Sequence, residues 1–293
     1  VRQRILALVA VLLALAPAPA SAWGDYAHRQ TARIAAANVS PQVRAKIRAL
    51  LARERELGTP DCPLATIEDA SVWADCVRRE SWRWGYTAAW HYRTAPICKP
   101  FDPKANCAGG NCVTAQIVRS HRILADERLP AAIRLEALAF MVHFAGDVHM
   151  PLHSGDNDDQ GGNARRAAYG IKPGLNLHWI WDGPLAERAI SDPADPVVRR
   201  YSSAERAEMA GGTPDDWGRE SWEIARSFVY PTAFDTDDVC AAPLPAEATL
   251  SQDDIARAVP IARRRVVEAG LRIAALLESA FAPGPLVPDA PRR

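Results

Sequence analysis

The sequence predicts an all-α, single-domain globular protein with long loops and disulfides, and three observations carry that expectation. Apolar residues recur at helical rather than alternating spacing along most of the chain. Helix-start signals precede such stretches, most clearly Ser40-Pro41, with serine as cap and proline in the first turn. No convincing period-two stretch appears, although residues 90–94 could form a short hairpin. The 293 residues carry no low-complexity linker and no internal repeat, which favours one domain over two.

Residues 1–22 read as a targeting segment rather than part of the fold. Arg2 and Arg4 give a positive start, Ile5 to Leu15 is apolar, and Ala20-Ser21-Ala22 offers a cleavage site. The apolar run is too short for a comfortable membrane span. Cleavage after Ala22 leaves Trp23 as the first residue and a folded domain over 23–282. Helices are expected over 29–39, from Ser40-Pro41 to about Glu56, and over 66–79, 113–126 and 130–148. Further helices are expected near Leu177 and Asp215, and from Ser251 to about Phe281. Residues 80–112 read as irregular and 155–174 as a polar, glycine-rich loop. The proline-rich end, 283–293, is expected to fray. Pro151 lacks an N–H and clashes with the carbonyl four residues back, so the helix carrying His143 should kink or end there. His153 then points away from His143 and Asp147.

Lysines and arginines number 35, as do aspartates and glutamates; losing Arg2 and Arg4 leaves 33 against 35. Such a balance argues against a protein that coats nucleic acid through bulk positive charge. It does not argue against an enzyme whose cations are bound metals. Six cysteines in an exported chain suggest disulfides. Of the fifteen possible connectivities, Cys62 with Cys76, Cys98 with Cys240 and Cys107 with Cys112 is the expected set.

The chemistry is concentrated in His143-Phe-Ala-Gly-Asp147-Val-His149-Met-Pro-Leu-His153 and His178-Trp-Ile-Trp-Asp182. Imidazole and carboxylate are zinc ligands where thiolates are absent. Residues four apart share a helix face, so His143 with Asp147, and His178 with Asp182, can each grip one ion. A solvated helix face fits poorly, because both histidines stand in apolar runs and buried polar groups need partners. Alone, Asp75, His91 and His28 would read as ordinary polar residues, and Trp23 as core.

Together these residues resemble the zinc-dependent, single-strand-specific nucleases of the S-one/P-one type, which share an all-helical superfamily with the zinc phospholipases C. The resemblance rests on Trp23-Gly24 with His28 close behind, Trp73-Ala-Asp75-x-x-Arg78, Trp90-His91-Tyr92, His143-Phe-x-Gly-Asp147-x-His149-x-Pro-Leu-His153, Gly161-Gly162-Asn163 and Asn176-Leu-His178-x-x-Trp-Asp182. It implies three zinc ions. The first would be held by Asp75, His91, His143 and Asp147. The second would take the α-amino group and carbonyl of Trp23, with His28 and a bridging Asp147. The third would take His153, His178 and Asp182. It further implies hydrolysis of single-stranded DNA and RNA to 5′-phosphates, with 3′-nucleotidase activity besides. Asp75 would position the attacking hydroxide, and Arg78 would stabilise charge on the phosphoryl group. Tyr92 would stack on a base beside the loop of Asn163. Family members often carry asparagine after the last aspartate to contact the base; here Gly183 stands there and offers the base no side chain. His149 is expected to hold a ligating carboxylate in place, and His121 to lie on the surface. A monomer in the periplasm or outside the cell is expected, with no membrane anchor and no stable protein partner. A zinc phospholipase C is the nearest alternative, disfavoured because Asp182 stands where that branch usually has glutamate.

Overall fold

A computed structural model describes residues 23–241 and 244–282; the expected targeting segment 1–22 and the tail 283–293 lie outside the described residues. Helix accounts for 62% of the structure and strand for 7%, which makes the fold all-α.

Helix α1 (Asp25–Asn38) begins with Asp25 at its positive end. In α2 (Pro41–Leu51) the Ser40 side chain caps the Val43 N–H, as its sequence predicts; the chain then tightens into a 3₁₀ turn at Glu54–Leu57. A reciprocal Thr66/Asp69 capping box starts α3 (Ile67–Val77). Short α4 (Ser81–Trp84) runs into a 3₁₀ helix at Gly85–His91. The antiparallel pair α5 (Val113–Ala125) and α6 (Ala131–Asp147) follows. Every residue of α6 from Ala137 to Asp147 is buried, which is how a helix apolar on all sides behaves.

After α6 the path breaks as Pro151 predicts. The helix ends at Asp147, and Pro151 opens the separate turn α7 (Pro151–Ser154), where its missing N–H costs nothing. The expected hairpin at 90–94 is absent. Instead β1 (Ala95–Pro96) pairs in parallel with β2 (Gly155–Asp156). The expected loop 155–174 contains β3 (Arg166–Tyr169), which turns into antiparallel β4 (Lys172–Asn176) and pairs in parallel with distant β5 (Glu247–Leu250). These strands are too short, and their partners too remote, to leave a periodic signal.

A continuous helical stretch joins α8 (Leu177–Ile180), a π turn at Trp181–Leu185 and α9 (Ala186–Ile190). Helix α10 (Ser203–Met209) is capped by Ser202 and Glu205. Helix α11 (Pro214–Ile224) passes through a second π turn into α12 (Tyr230–Phe234). The 30-residue α13 (Gln252–Phe281) closes the fold behind a Ser251/Asp254 capping box.

Two apolar clusters form the core. One gathers α2, α3, α5 and α6 around Trp73, Trp84 and Phe140, whose rings meet edge to face at 5.3–5.9 Å. The other gathers Trp23, Met150, Leu152, Trp181 and Tyr230 with the first half of α13. Helices α1 and α13 contribute to both, and the segment from His143 to His153 passes from one to the other. The ligand motif therefore sits at the seam. All three expected disulfides are present, Cys62–Cys76, Cys98–Cys240 and Cys107–Cys112, which fits an oxidising compartment. Among the described residues no helix is long and apolar enough to cross a membrane.

Candidate metal centre

Helices α1, α3 and α6, the 3₁₀ helix ending at His91, α7 and the α8 turn all deliver imidazoles or carboxylates to one place. His28, His91, His143, Asp147, His153, His178 and Asp182 are all buried, and Asp75 nearly so. Three groups have donor atoms close enough to share an ion: His28 with His143 and Asp147, Asp75 with His91 and His143, and His153 with His178 and Asp182.

Asp147 stands at the junction. Its Oδ2 lies 3.0 Å from His91 Nδ1 and 3.1 Å from His143 Nε2, while Oδ1 lies 3.1 Å from His28 Nε2 and 3.9 Å from His153 Nδ1. Asp75 approaches His91 and His143 at 3.6 and 3.8 Å. In the third group His178 Nε2 is 3.0 Å and His153 Nε2 is 3.9 Å from Asp182. The ring of His28 stacks on His143 at 4.3 Å, and that of His153 on His178 at 5.0 Å.

Backbone carbonyls fix the tautomers. His143 Nδ1 donates to Ser71 O at 2.6 Å, His153 Nδ1 to His91 O at 3.0 Å and His178 Nδ1 to Gly161 O at 2.7 Å. A carbonyl only accepts, so each Nδ1 carries the proton and each Nε2 turns a lone pair inward. Lone pairs and carboxylates converging in a dry pocket repel one another unless a cation joins them. His143 Nε2 even approaches His91 Nδ1 to 2.9 Å. Nε2 of His153, both ring nitrogens of His28 and both oxygens of Asp182 are buried without a hydrogen bond of good geometry. Tetrahedral zinc, with arms of about 2.0–2.1 Å, spaces its donors about 3.3 Å apart, close to the separations seen here. The donor set fits zinc.

Protonation follows the same logic. Burial works against the Asp147 carboxylate, but His143, His28 and His91 outweigh it and hold its pKa well below the usual value. Burial also opposes a charge on His143, yet Asp147 and Asp75 push its pKa up to about 9. Burial dominates at His153 and lowers it to about 4. In metal-free protein a proton on His143 thus takes the cation's place. The His143 contribution to stability is full below pH ~6.5 and is lost as pH rises through about 9. That of His153 is full above pH ~6.5 and is lost as pH falls through about 4. Chelated protein should therefore melt highest near pH ~6.5, with Tm falling on both sides. A Tm that rises steadily across that range would contradict these assignments.

Two glycines make room for the rings. A methyl group on Gly146 would stand 2.7 Å from His28 Nδ1 and 2.9 Å from its Cε1, and buried α6 has nowhere to retreat. Gly146→Ala is expected to expel His28, removing one bound zinc and lowering activity roughly 10- to 100-fold. Unchanged zinc content, measured by elemental analysis, would show that His28 is dispensable. Gly161 adopts φ +62°, and a Cβ there would lie 2.3 Å from Leu152 O. Its loop is pinned by Asp156, which accepts from Gly161 N, and by Asp159, which accepts from Gly162 N and Tyr230 Oη. This is what holds the Gly161 carbonyl against His178.

His149 does not hold a ligating carboxylate. Its Nδ1 donates to Ala145 O, and its Nε2 accepts from Arg272 at 2.9 Å. Arg272 and Arg265 share Glu220, and Arg265 also donates to His149 O. Burial, with Arg265 and Arg272 beside it, holds His149 neutral, far below the usual imidazole pKa. The residue anchors the turn between Asp147 and His153 to α11 and α13. Pairing with an arginine that lies 123 residues away left no mark in the local sequence. His121 is half-buried rather than superficial, with Nε2 2.7 Å from Ser279 Oγ on α13.

The centre opens into a cleft of about 1150 Å³. Asp75, His91, His153 and His178 reach its surface, and Arg78, Arg79, Tyr92, Asn163 and Asn176 line it. Arg78 pairs with Asp75 at 2.9 Å. Tyr92 is 36% exposed, its ring 6.0 Å from that of His153. Gly183 is not among the lining residues; it lies under the Trp179 ring. Trp23 is fully buried, and the N–H of Gly24 next to it donates to Asp182 O at 2.8 Å. Arg79, Gln160 and Asn176 line the cleft although nothing in the sequence singled them out as substrate contacts.

Ligand groups left open to a cleft mark a catalytic metal centre, since structural sites are closed by protein. The profile of the S1/P1 Nuclease family matches residues 23–282, and the chain belongs to that family. It is similar to Nuclease S1 from Aspergillus oryzae, 25% identical over 94% of this chain and 97% of the relative. Endonuclease 3 from Arabidopsis thaliana is 24% identical over 88% of this chain and 89% of the relative. Nuclease P1 from Penicillium citrinum is 29% identical over 59% of this chain and 61% of the relative. The protein is therefore a hydrolase of phosphodiester bonds, and its metal is zinc.

Proposed function

We propose that this chain is a secreted or periplasmic, monomeric endonuclease that cuts single-stranded DNA and RNA, leaves 5′-phosphates and also hydrolyses 3′-nucleotides. The observation that carries this reading is the junction at Asp147, which turns one carboxylate oxygen to each of two imidazole groups beneath an open cleft. Asp75, His91, His143 and Asp147 would hold one zinc. His28, Asp147 and the amine and carbonyl of a processed Trp23 would hold a second, and His153, His178 and Asp182 a third. Bound zinc supplies Lewis acidity and water of lowered pKa. Asp75, at the cleft surface, orients the attacking water, and Arg78 beside it meets the charge that grows on the phosphoryl oxygens. Tyr92 offers a ring for an unpaired base and Asn163 a polar edge, while Gly183 contributes no side chain. A floor this sunken admits a splayed single strand more readily than a stiff duplex.

The test is to follow hydrolysis of single-stranded DNA, the matching duplex and phosphatidylcholine in parallel. Fast cleavage of the single strand, with slow or no cleavage of the other two, is expected. Lipid turnover alone would overturn the reading in favour of the phospholipase branch.

A further inference from the structure

Three aromatic rings stand out on one short surface segment. Trp82 is 84% exposed and Tyr86 60%, and Tyr92 follows at the cleft itself. Large rings left this open on one short segment are unusual on a soluble surface. Trp82 on α4 and Tyr86 on the 3₁₀ helix after it are four residues apart in one short helical stretch. The residues three before and three after Trp82, Arg79 and Gly85, both line the cleft, as does Ala88. The segment that carries the two rings thus borders the cleft. Exposed Arg79 supplies a cation beside it; Arg78 is paired with Asp75 in the cleft, and Arg83 reaches across to the carbonyls of Leu57 and Gly58. Glu80 and Glu136 are the opposing acids, and Glu136 is answered by Arg83 and Arg119. Tyr86 also rests edge-on against buried Trp90 at 5.2 Å, which fixes one side of its ring and leaves the other to solvent.

The geometry points to Trp82 and Tyr86 as an external stacking track for bases that flank the scissile phosphate, with Arg79 attracting the backbone between them. Exposed rings interleaved with arginine are the construction that binds single strands without sequence preference. This inference rests on the nuclease reading above. It adds that long strands are held outside the cleft as well as within it, so that polymers are preferred over minimal substrates through KM. Tyr92 alone would serve a mononucleotide; Trp82 and Tyr86 matter only when further nucleotides are present.

The test compares wild type, Trp82→Ala, Tyr86→Ala and the double variant on a single-stranded 20-mer and on a dinucleotide. Both side chains are largely exposed, so the fold and zinc content should not change. For the 20-mer, KM is expected to rise about tenfold per ring removed, with kcat unchanged, and dinucleotide kinetics should stay at the wild-type level. An unchanged KM for the 20-mer would overturn the track, as would an equal loss on both substrates. A wild-type enzyme that cuts neither substrate would instead overturn the nuclease reading itself.

Discussion

Asp147→Asn is expected to abolish hydrolysis, lowering kcat by about 10³-fold or more, while leaving a folded, disulfide-bonded chain. The carboxylate divides its oxygens between His28 on one side and His91 and His143 on the other. An amide of the same shape removes the negative charge and aims N–H hydrogens at a point built for a cation. Two of the three ligand groups lose a shared or adjoining member, so bound zinc should fall by two ions. The surrounding helix is held by apolar packing from Ala137 onward, which the substitution does not touch. Elemental analysis, circular dichroism and single-strand cleavage would be measured together. Retained activity with full zinc would remove Asp147 from its bridging place.

Arg78→Ala is expected to lower kcat by roughly 10²- to 10³-fold with a smaller change in KM. The guanidinium lines the cleft and pairs with Asp75 at 2.9 Å. Charge gathered on the transferring phosphoryl group is largest in the transition state, which is where a fixed cation contributes most. Arg78→Lys should recover only part of the rate, because an ammonium lacks the planar fork. Zinc content separates this role from a purely structural one. If Arg78→Ala lost zinc in step with kcat, the residue would serve only to hold Asp75.

The helical frame was readable because its signals are local. The cap at Ser40 and the apolar residues at helical spacing, including the run before His143, place α2, α3 and α6 within a few residues of their observed limits. The ligand motifs were readable because i, i+4 spacing on a buried helix leaves few alternatives for an imidazole and a carboxylate. What escaped is non-local. Strands β3 and β5 meet across some eighty residues, four residues at a time. His149 is expected to hold a ligating carboxylate, yet its partner is an arginine of α13. The carbonyls of Ser71, His91 and Gly161, which set the imidazole tautomers, carry no residue identity at all. Trp82 and Tyr86 carry no signal in the sequence, because exposure, not residue type, is what distinguishes them.

The central claim is that groups from Trp23 to Asp182 form one multinuclear centre in a cleft. Native mass spectrometry of the chain processed to begin at Trp23, read alongside cleavage of a single-stranded oligonucleotide, tests it most directly. About three zinc ions per chain are expected, with activity lost on chelation and restored by zinc, and one ion fewer when extra residues block the Trp23 amine. A chain that holds a single zinc or none yet cleaves the oligonucleotide at full rate would contradict it.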